Sequence, residues 1–324
     1  MNEFNLIQRY FASSNIARKD VIIGIGDDAA ITQVPENQLL ATTTDTLVEG
    51  VHFLAGTKAS DIAHKAISVN LSDLAAMGAE PSWISLSLSL PEANETWLQQ
   101  FSDKLIELSD YYSVQLIGGD TVKGPLSITI TAQGIVPPQS ILTRSGANAG
   151  DWIFVTGCLG DAGAGLDILL GKLEVSDSAA REYLVNRHSC PSARVLAGTT
   201  LRRLATSCID ISDGLLQDLQ HVMRASSTGA IIHLEKLPIS EQLGTNVTDL
   251  KQALAYATTA GDDYELLFTV SEEHRTSVLT ALDNYGIDYA NIGMMTGAVG
   301  KVDLRLDDKP YELEVSNAAG YLHF

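Results

Sequence analysis

Val21-Ile22-Ile23-Gly24-Ile25-Gly26-Asp27-Asp28-Ala29 is a short apolar run entering a glycine-rich turn, and how that turn is read decides the fold. Its glycines and Ala29 satisfy the dinucleotide fingerprint G-x-G-x-x-G/A, and Asp45 stands near the distance expected of a ribose-binding acid. The fingerprint works only if backbone N–H groups approach a pyrophosphate closely. Asp27 and Asp28 put two carboxylates at that spot, so the turn would repel the ligand it has to hold. A Rossmann reading is set aside, and the aspartates become the feature to explain.

Outward from the turn, Leu39 to Thr44 reads as a second strand, leading into Asp45. From Ser60, a candidate N-cap, the apolar positions Ile62, Ala63, Ala66, Ile67, Leu71, Leu74 and Ala75 recur at helical spacing up to a stop at Gly78, and this helix carries Asp73. Ile84 to Leu90 alternates leucine or isoleucine with serine, predicting a strand with one apolar and one hydroxyl face, and Leu126 to Ala132 alternates likewise. A helix over about 94–110 and a short strand ending at Gly118-Gly119-Asp120 lie between them. Turn residues at Pro137-Pro138 and Gly146 to Gly150 mark a boundary, giving an N-terminal domain over 1–140 and a C-terminal α/β domain over 150–324. In the second half, Trp152 to Thr156 is a strand whose glycine-rich exit opens a helix. Another helix follows Pro191 to about 206, and Cys208 to Gly214 is a strand-to-helix junction carrying Asp210 and Asp213. Gly261-Asp262-Asp263-Tyr264-Glu265 precedes a further strand and a helix over about 272–285.

Composition narrows the function. The 324 residues suffice for two domains with cores of their own, and 45% hydrophobic against 19% charged residues describes a folded protein rather than a disordered chain. A net charge of -19 would repel phosphate backbones and anionic lipid, which argues against nucleic-acid or membrane binding. No apolar run spans a bilayer and the start lacks a basic leader, so a soluble cytoplasmic protein is expected. Cys158, Cys190 and Cys208 stand 32 and 18 residues apart, a spacing that suggests neither a disulfide framework nor a zinc site. Gly165 to Lys172 fails as a P-loop, because five residues separate its glycines and Leu173 stands where Ser or Thr would hold magnesium.

What remains is a set of aspartates at element ends, in a chain with 24 Asp to 16 Glu. Hard divalent cations take oxygen ligands, and short side chains at strand ends present them rigidly. A single turn aspartate is usually only a cap, but several such positions beside Gly, Ser or Thr point to a multi-metal phosphate site.

In order along the chain, the segments Gly24 to Ala29, Thr44-Asp45-Thr46-Leu47-Val48 with His52-Phe53, Val69 to Ala79, Gly118-Gly119-Asp120-Thr121, Asp210-Ile211-Ser212-Asp213-Gly214 and Gly261 to Leu266 resemble the thiamine-monophosphate kinase family of the aminoimidazole-ribonucleotide synthetase-like superfamily. The resemblance implies a two-domain α/β (α+β) fold whose N-terminal sheet forms a homodimer interface, with ATP bound between the two domains. It implies magnesium-dependent transfer of the ATP γ-phosphoryl group to thiamine monophosphate. Carried over position by position, it makes Asp28, Thr43, Thr44, Asp45, Asp73, Asp120, Asp210 and Asp213 the metal shell. Tyr112, Gly119, Asp120, Arg144 and Ser212 would contact ATP, and His52, Asp262 and Tyr321 the thiamine phosphate. Two departures stand out: members of the family carry Glu where this chain has Asp262, and some have a Trp before the closing Lys-Gly-Tyr where it reads Asn317-Ala318-Ala319-Gly320-Tyr321.

The chemistry of the residues agrees. A phosphate monoester has its second pKa at about 6, so the attacking oxygen is largely ionised at neutral pH and needs no catalytic base. The remaining difficulty is to bring one anion against another, for which magnesium on carboxylates is suited. Other ATP-dependent enzymes of the superfamily, those of selenophosphate or aminoimidazole-ribonucleotide synthesis and of hydrogenase maturation, are the nearest alternatives. Selenophosphate synthetase places a Cys near its N-terminus, where this chain has none before Cys158, and the hydrogenase-maturation enzyme ends in a Cys, where this chain ends in Phe324. A non-catalytic divalent-ion scaffold is the alternative of a different class.

Overall fold

The computed structural model describes residues 3–11 and 17–313, so Tyr321 and the segment around Ala318 lie outside the described residues. These residues divide into two compact units, one running to Leu74 and resuming over Ala79–Gln139, the other comprising Ala75–Gly78 and the chain from Ser140.

The first unit contains α1 (Glu3–Tyr10), β1 (Val21–Ile23), β2 (Ile31–Thr32), β3 (Leu39–Val48), α2 (Ala59–Ala76), β4 (Glu80–Leu90), α3 (Glu95–Tyr111), β5 (Gln115–Lys123) and β6 (Ser127–Val136). Four strands form one sheet in the order β3-β6-β4-β5, antiparallel except for the parallel β4/β5 pair. The period-2 pattern is realised in β4: Ile84, Leu86, Leu88 and Leu90 are buried while Ser87 is exposed. β6 matches it, with Ile128, Ile130 and Ala132 buried. The other face is a field of hydroxyls, where Thr44 pairs with Thr131 at 2.9 Å and Thr46 with Thr129 at 2.8 Å. In α3, Asn94 is the N-cap and accepts the Trp97 N–H at 3.0 Å.

Three boundaries differ from the sequence reading. α2 starts one residue before Ser60, with the Lys58 carbonyl taking the first helical N–H groups; Ser60 instead bonds the Asp61 carboxylate at 3.0 Å. Its end is as expected: Gly78 adopts φ +65° and the Ala79 N–H returns to the Leu74 carbonyl. Asp45 does not follow a strand but lies inside one, because β3 stays paired to β6 through Val48↔Ser127. Gly118-Gly119-Asp120 likewise sits mid-strand, just past a register shift against β4, and Gly119 leaves no room for a side chain there: an added Cβ would lie 1.8 Å from the Leu86 carbonyl oxygen.

The second unit is a seven-stranded mixed sheet flanked by helices. Its elements are β7 (Trp152–Thr156), α4 (Asp161–Leu169), α5 (Ser178–Ser189), α6 (Val195–Thr200), β8 (Ser207–Asp210), α7 (Leu215–Ser226), β9 (Gly229–His233), α8 (Glu241–Asn246), α9 (Leu250–Thr259), β10 (Leu266–Val270), α10 (Glu272–Asn284), β11 (Tyr289–Thr296), β12 (Val302–Leu306) and β13 (Lys309–Pro310). The strand order is β13-β12-β9-β11-β7-β10-β8, with β12/β9 the parallel pair. One core cluster gathers Ile153, Val155, Ile209, Leu219, Val222 and Ile292, and another Phe154, Phe268 and Leu282. The helix expected to reach about 206 is the shorter α6.

Candidate active site

In the first unit the site grows from the parity of β3. Alternate residues face opposite sides, so Thr43 and Asp45, whose register partners Ala132 and Ile130 are buried, lie on the core side, whereas Thr44 joins the hydroxyl face. On the core side the Thr43 hydroxyl donates to the Asp73 carboxylate on α2, and the Asp45 N–H donates to Asn70 Oδ1 at 3.1 Å. The fully buried Asn70 completes its own bonding by donating Nδ2 to the Ala66 carbonyl at 3.0 Å. Burial, and then the Asp73 charge, push the Asp45 carboxyl up to about 6. Two carboxylates and a hydroxyl crowded together under mutual repulsion are a donor set that a hard divalent cation fits.

The structure does not bring all the expected ligands of this unit to that cluster. Thr44 bonds Thr131 on the far face. Asp120 is exposed and pairs in register with Ser87, which puts it on the hydroxyl side too. Asp28 is exposed in the turn after β1, its N–H bonded to Asp27 Oδ1 at 2.9 Å. Tyr112 caps α3, its ring edge-on to Tyr111 with centroids 4.8 Å apart. His52 lies in the loop after β3 and accepts the Val48 N–H on Nδ1 at 3.0 Å, so its neutral ring carries the proton on Nε2.

In the second unit the two acidic motifs are knitted by backbone. The Asp262 N–H donates to the Ser212 carbonyl at 2.8 Å, the Tyr264 N–H to the Ile211 carbonyl at 2.8 Å, and the Ile211 N–H to the Glu265 carbonyl at 2.8 Å. Gly261 permits this approach, since a Cβ there would lie 2.4 Å from the Ser212 carbonyl oxygen. Asp262 and Tyr264 adopt φ +69° and φ +51°, left-handed conformations that non-glycine residues hold only where the surroundings enforce them. The Asp262 carboxylate accepts from the Tyr264 hydroxyl at 3.2 Å and lies 3.4 Å from His188 Nδ1.

Asp210 is buried at the end of β8, and Asp213 follows in the turn into α7, where it accepts from Gln217 Nε2 at 2.9 Å. Sequence reasoning missed two neighbours. Asp218 and His221, one helical turn apart on α7, bring ligand atoms within 4.8 Å of one another and of Asp213. Burial, with the charges of Asp210 and Asp213, pushes the Asp218 carboxyl up to about 8. Burial, and then the charges of Arg144 and Arg224, lower the His221 pKa; Arg144 itself is exposed. The carboxylates of this cluster are oxygen donors of the kind a hard divalent cation takes, whereas the His221 imidazole is not.

The other acids of Gly261 to Glu265 are structural. Asp263, whose pKa burial raises well above the usual value, accepts the Gly160 N–H at 2.8 Å and the Ala162 N–H at 3.4 Å at the start of α4. The fully buried Glu265 is held by Arg187 at 2.9 Å, Arg194 at 2.6 and 2.5 Å, and the Thr156 hydroxyl at 2.7 Å.

Residues 26–136 match the family model of the AIR synthase related protein N-terminal domain, and residues 148–304 that of the C-terminal domain. Over 322 residues the chain is 50% identical to thiamine-monophosphate kinase of Escherichia coli strain K12, covering 99% of this chain and 98% of that one. The chain belongs to the thiamine-monophosphate kinase family. Solved structures of this family agree. The thiamine-monophosphate kinase of Stenotrophomonas maltophilia K279a superposes with a TM-score of 0.84 at 39% identity, covering 95% of this chain and 96% of that one. A structure described as AaThiL complexed with AMPPCP and TMP superposes with a TM-score of 0.77 at 33% identity, covering 99% and 96%. Among the described residues, no helix is long and apolar enough to cross a membrane.

Proposed function

We infer that the chain phosphorylates thiamine monophosphate to thiamine diphosphate, using ATP and magnesium ions held by its aspartates, with no side chain acting as general base. The observation that carries the reading is the 50% identity maintained over 99% of the chain with a thiamine-monophosphate kinase. In this reading Asp45 and Asp73 with the Thr43 hydroxyl, and Asp210 with Asp213, would hold the ions; Asp28, Thr44 and Asp120, the other members of the shell the resemblance implies, stand apart from the Asp45–Asp73 pair, Thr44 and Asp120 on the opposite face of the sheet. Magnesium, when bound, supplies charge neutralisation between two anionic phosphates and keeps the reacting oxygens in line. Tyr112, Gly119, Asp120, Arg144 and Ser212 contact ATP. His52 and Asp262 orient the acceptor, as Tyr321 does, rather than moving protons.

The substitution of Asp for the family's Glu at 262 shortens that side chain by one methylene, which takes about 1.5 Å from its reach toward the acceptor. The hydroxyl face of β3, β4 and β6, with Leu40 and Val122 exposed on the same side, supports a homodimer formed through the N-terminal sheets. Dependence on ATP supports a cytoplasmic location.

The direct test measures ADP release from ATP with thiamine monophosphate, thiamine, selenide and formylglycinamidine ribonucleotide as acceptors. Only thiamine monophosphate should support turnover, and Asp73→Ala should abolish it while leaving the fold intact. Comparable turnover on selenide or formylglycinamidine ribonucleotide would move the chain to another branch of the superfamily. A monomeric mass at micromolar concentration would refute the dimer.

A further inference from the structure

The turn that carries Asp213 is tied down from two sides. From one, the backbone of Asp262 and Tyr264 donates to Ser212 and Ile211. From the other, a single oxygen of Asp218, Oδ2, accepts both the Asp213 N–H and the Gly214 N–H, each at 3.1 Å. Asp218 is buried, sits in the first turn of α7, and returns its own N–H to the Gly214 carbonyl at 3.0 Å. Gly214 has φ +115°, and a Cβ on it would meet the Thr259 carbonyl oxygen at 2.8 Å, so the chain has one way through this point. Helix N-termini leave N–H groups free for an incoming anion. Here a side chain from the helix itself takes two N–H groups just ahead of it, and thereby fixes the backbone from which the Asp213 carboxylate projects.

We propose that Asp218 is a positioning residue for phosphoryl transfer: its Oδ2 sets the backbone of the Asp210–Gly214 turn, and so the aim of the Asp213 carboxylate at the metal-bound nucleotide. The proposal rests on the reading above in which Asp213 holds magnesium. It differs from a role for Asp218 as a further metal-binding charge, because a shared acceptor oxygen is a matter of geometry. Asn presents a carbonyl oxygen at the same place without the charge. Glu keeps the charge but moves the acceptor by about 1.5 Å, one carbon–carbon bond.

The experiment compares wild type, Asp218→Asn, Asp218→Glu and Asp213→Ala in the ADP-release assay, titrating magnesium at fixed ATP and then thiamine monophosphate at saturating magnesium. Positioning predicts that Asp218→Asn keeps the half-activating magnesium concentration within about threefold of wild type, one good acceptor having been retained. Asp218→Glu raises it about tenfold or more, as a misplaced ligand should, with KM for thiamine monophosphate within about twofold in both variants. If Glu is tolerated and Asn is not, the charge matters and the proposal is wrong. It is also wrong if both behave as wild type while Asp213→Ala is impaired. Should Asp213→Ala itself behave as wild type, the assignment of the metal site fails, a separate outcome. If either Asp218 variant does not fold, amide hydrogen exchange in the wild-type protein decides: Asp213 and Gly214 should be as protected as the interior of α7, and exchange at the rate of an open loop would overturn the proposal.

Discussion

Asp45→Asn should stabilise the metal-free protein at neutral pH while abolishing its activity. In the folded chain the Asp45 carboxyl is raised from 3.8 to about 6, first by burial and then by Asp73. For an acid this sign means that ionisation opposes folding. The penalty is absent below the unfolded value near 4, grows as pH rises through the interval, and is complete above about 6. At about 1.4 kcal/mol per pH-scale difference of one, the ceiling is about 3 kcal/mol at pH 7.5. Asp45 is only partly buried, so solvent screening reduces the observable gain to on the order of 1–2 kcal/mol. Such a gain corresponds to about 3–6 °C in melting temperature for a unit of this size. The assay is urea or thermal unfolding in a chelator at pH 7.5 and at pH 4, followed by magnesium addition at pH 7.5. Asn should outlast Asp at pH 7.5 and match it at pH 4, and magnesium should stabilise wild type more than the variant. A variant less stable than wild type at pH 7.5, or a difference that does not change with pH, would refute the account of these two carboxylates as a cation site held under repulsion.

Other tests address separate parts of the molecule. Glu265→Gln leaves Arg187 and Arg194 with an uncharged partner in a buried position, and should cost about 3–5 kcal/mol in chemical unfolding, the range for breaking a buried ion pair from one side. Gly261→Ala drives a methyl group to 2.4 Å from the Ser212 carbonyl oxygen, so the two motif loops must part; a loss of about 1–3 kcal/mol with a larger proportional fall in turnover is expected from unfolding and ADP-release measurements. His52→Ala should impair use of thiamine monophosphate more than ATP binding and leave the pH–rate profile without a lost limb, since its Nδ1 is already engaged by the Val48 N–H. Disappearance of a limb near the histidine range in that variant would make His52 an acid or base instead.

The sequence was most legible where burial alone sets the pattern. Alternation at 84–90 and 126–132 identified β4 and β6 because one face of each is wholly inside. Glycine misled at 118–119: the residues read as a strand end instead let two paired strands approach closely, a tertiary contact that leaves no local signature. α5 escaped notice because the described burial on it is a narrow stripe of Ala180, Leu184 and His188, one of them polar. In the site, motif aspartates were visible as motifs, but which of them share a face was not. Thr43 and Thr44 are adjacent in sequence and opposed in space, and Asp45 and Asp120 lie on opposite sides of one sheet. Asp218 and His221 had a signal, an acid and a histidine one helical turn apart and five residues past Asp213, too common on exposed helices to single out.

The alternation of β3 ties two properties to one register. Thr44 and Thr46 belong to the hydroxyl surface while Thr43 and Asp45 belong to the acid cluster, along a strand paired to β6 without a bulge from Leu39 to Val48. Deleting or inserting one residue between 39 and 43 would exchange the two sets wholesale, turning carboxylate outward and threonine inward. A two-residue change would preserve both. Length variation in this strand is therefore quantised in even steps, and the surface that carries the hydroxyls cannot drift in register independently of the side that carries the acids.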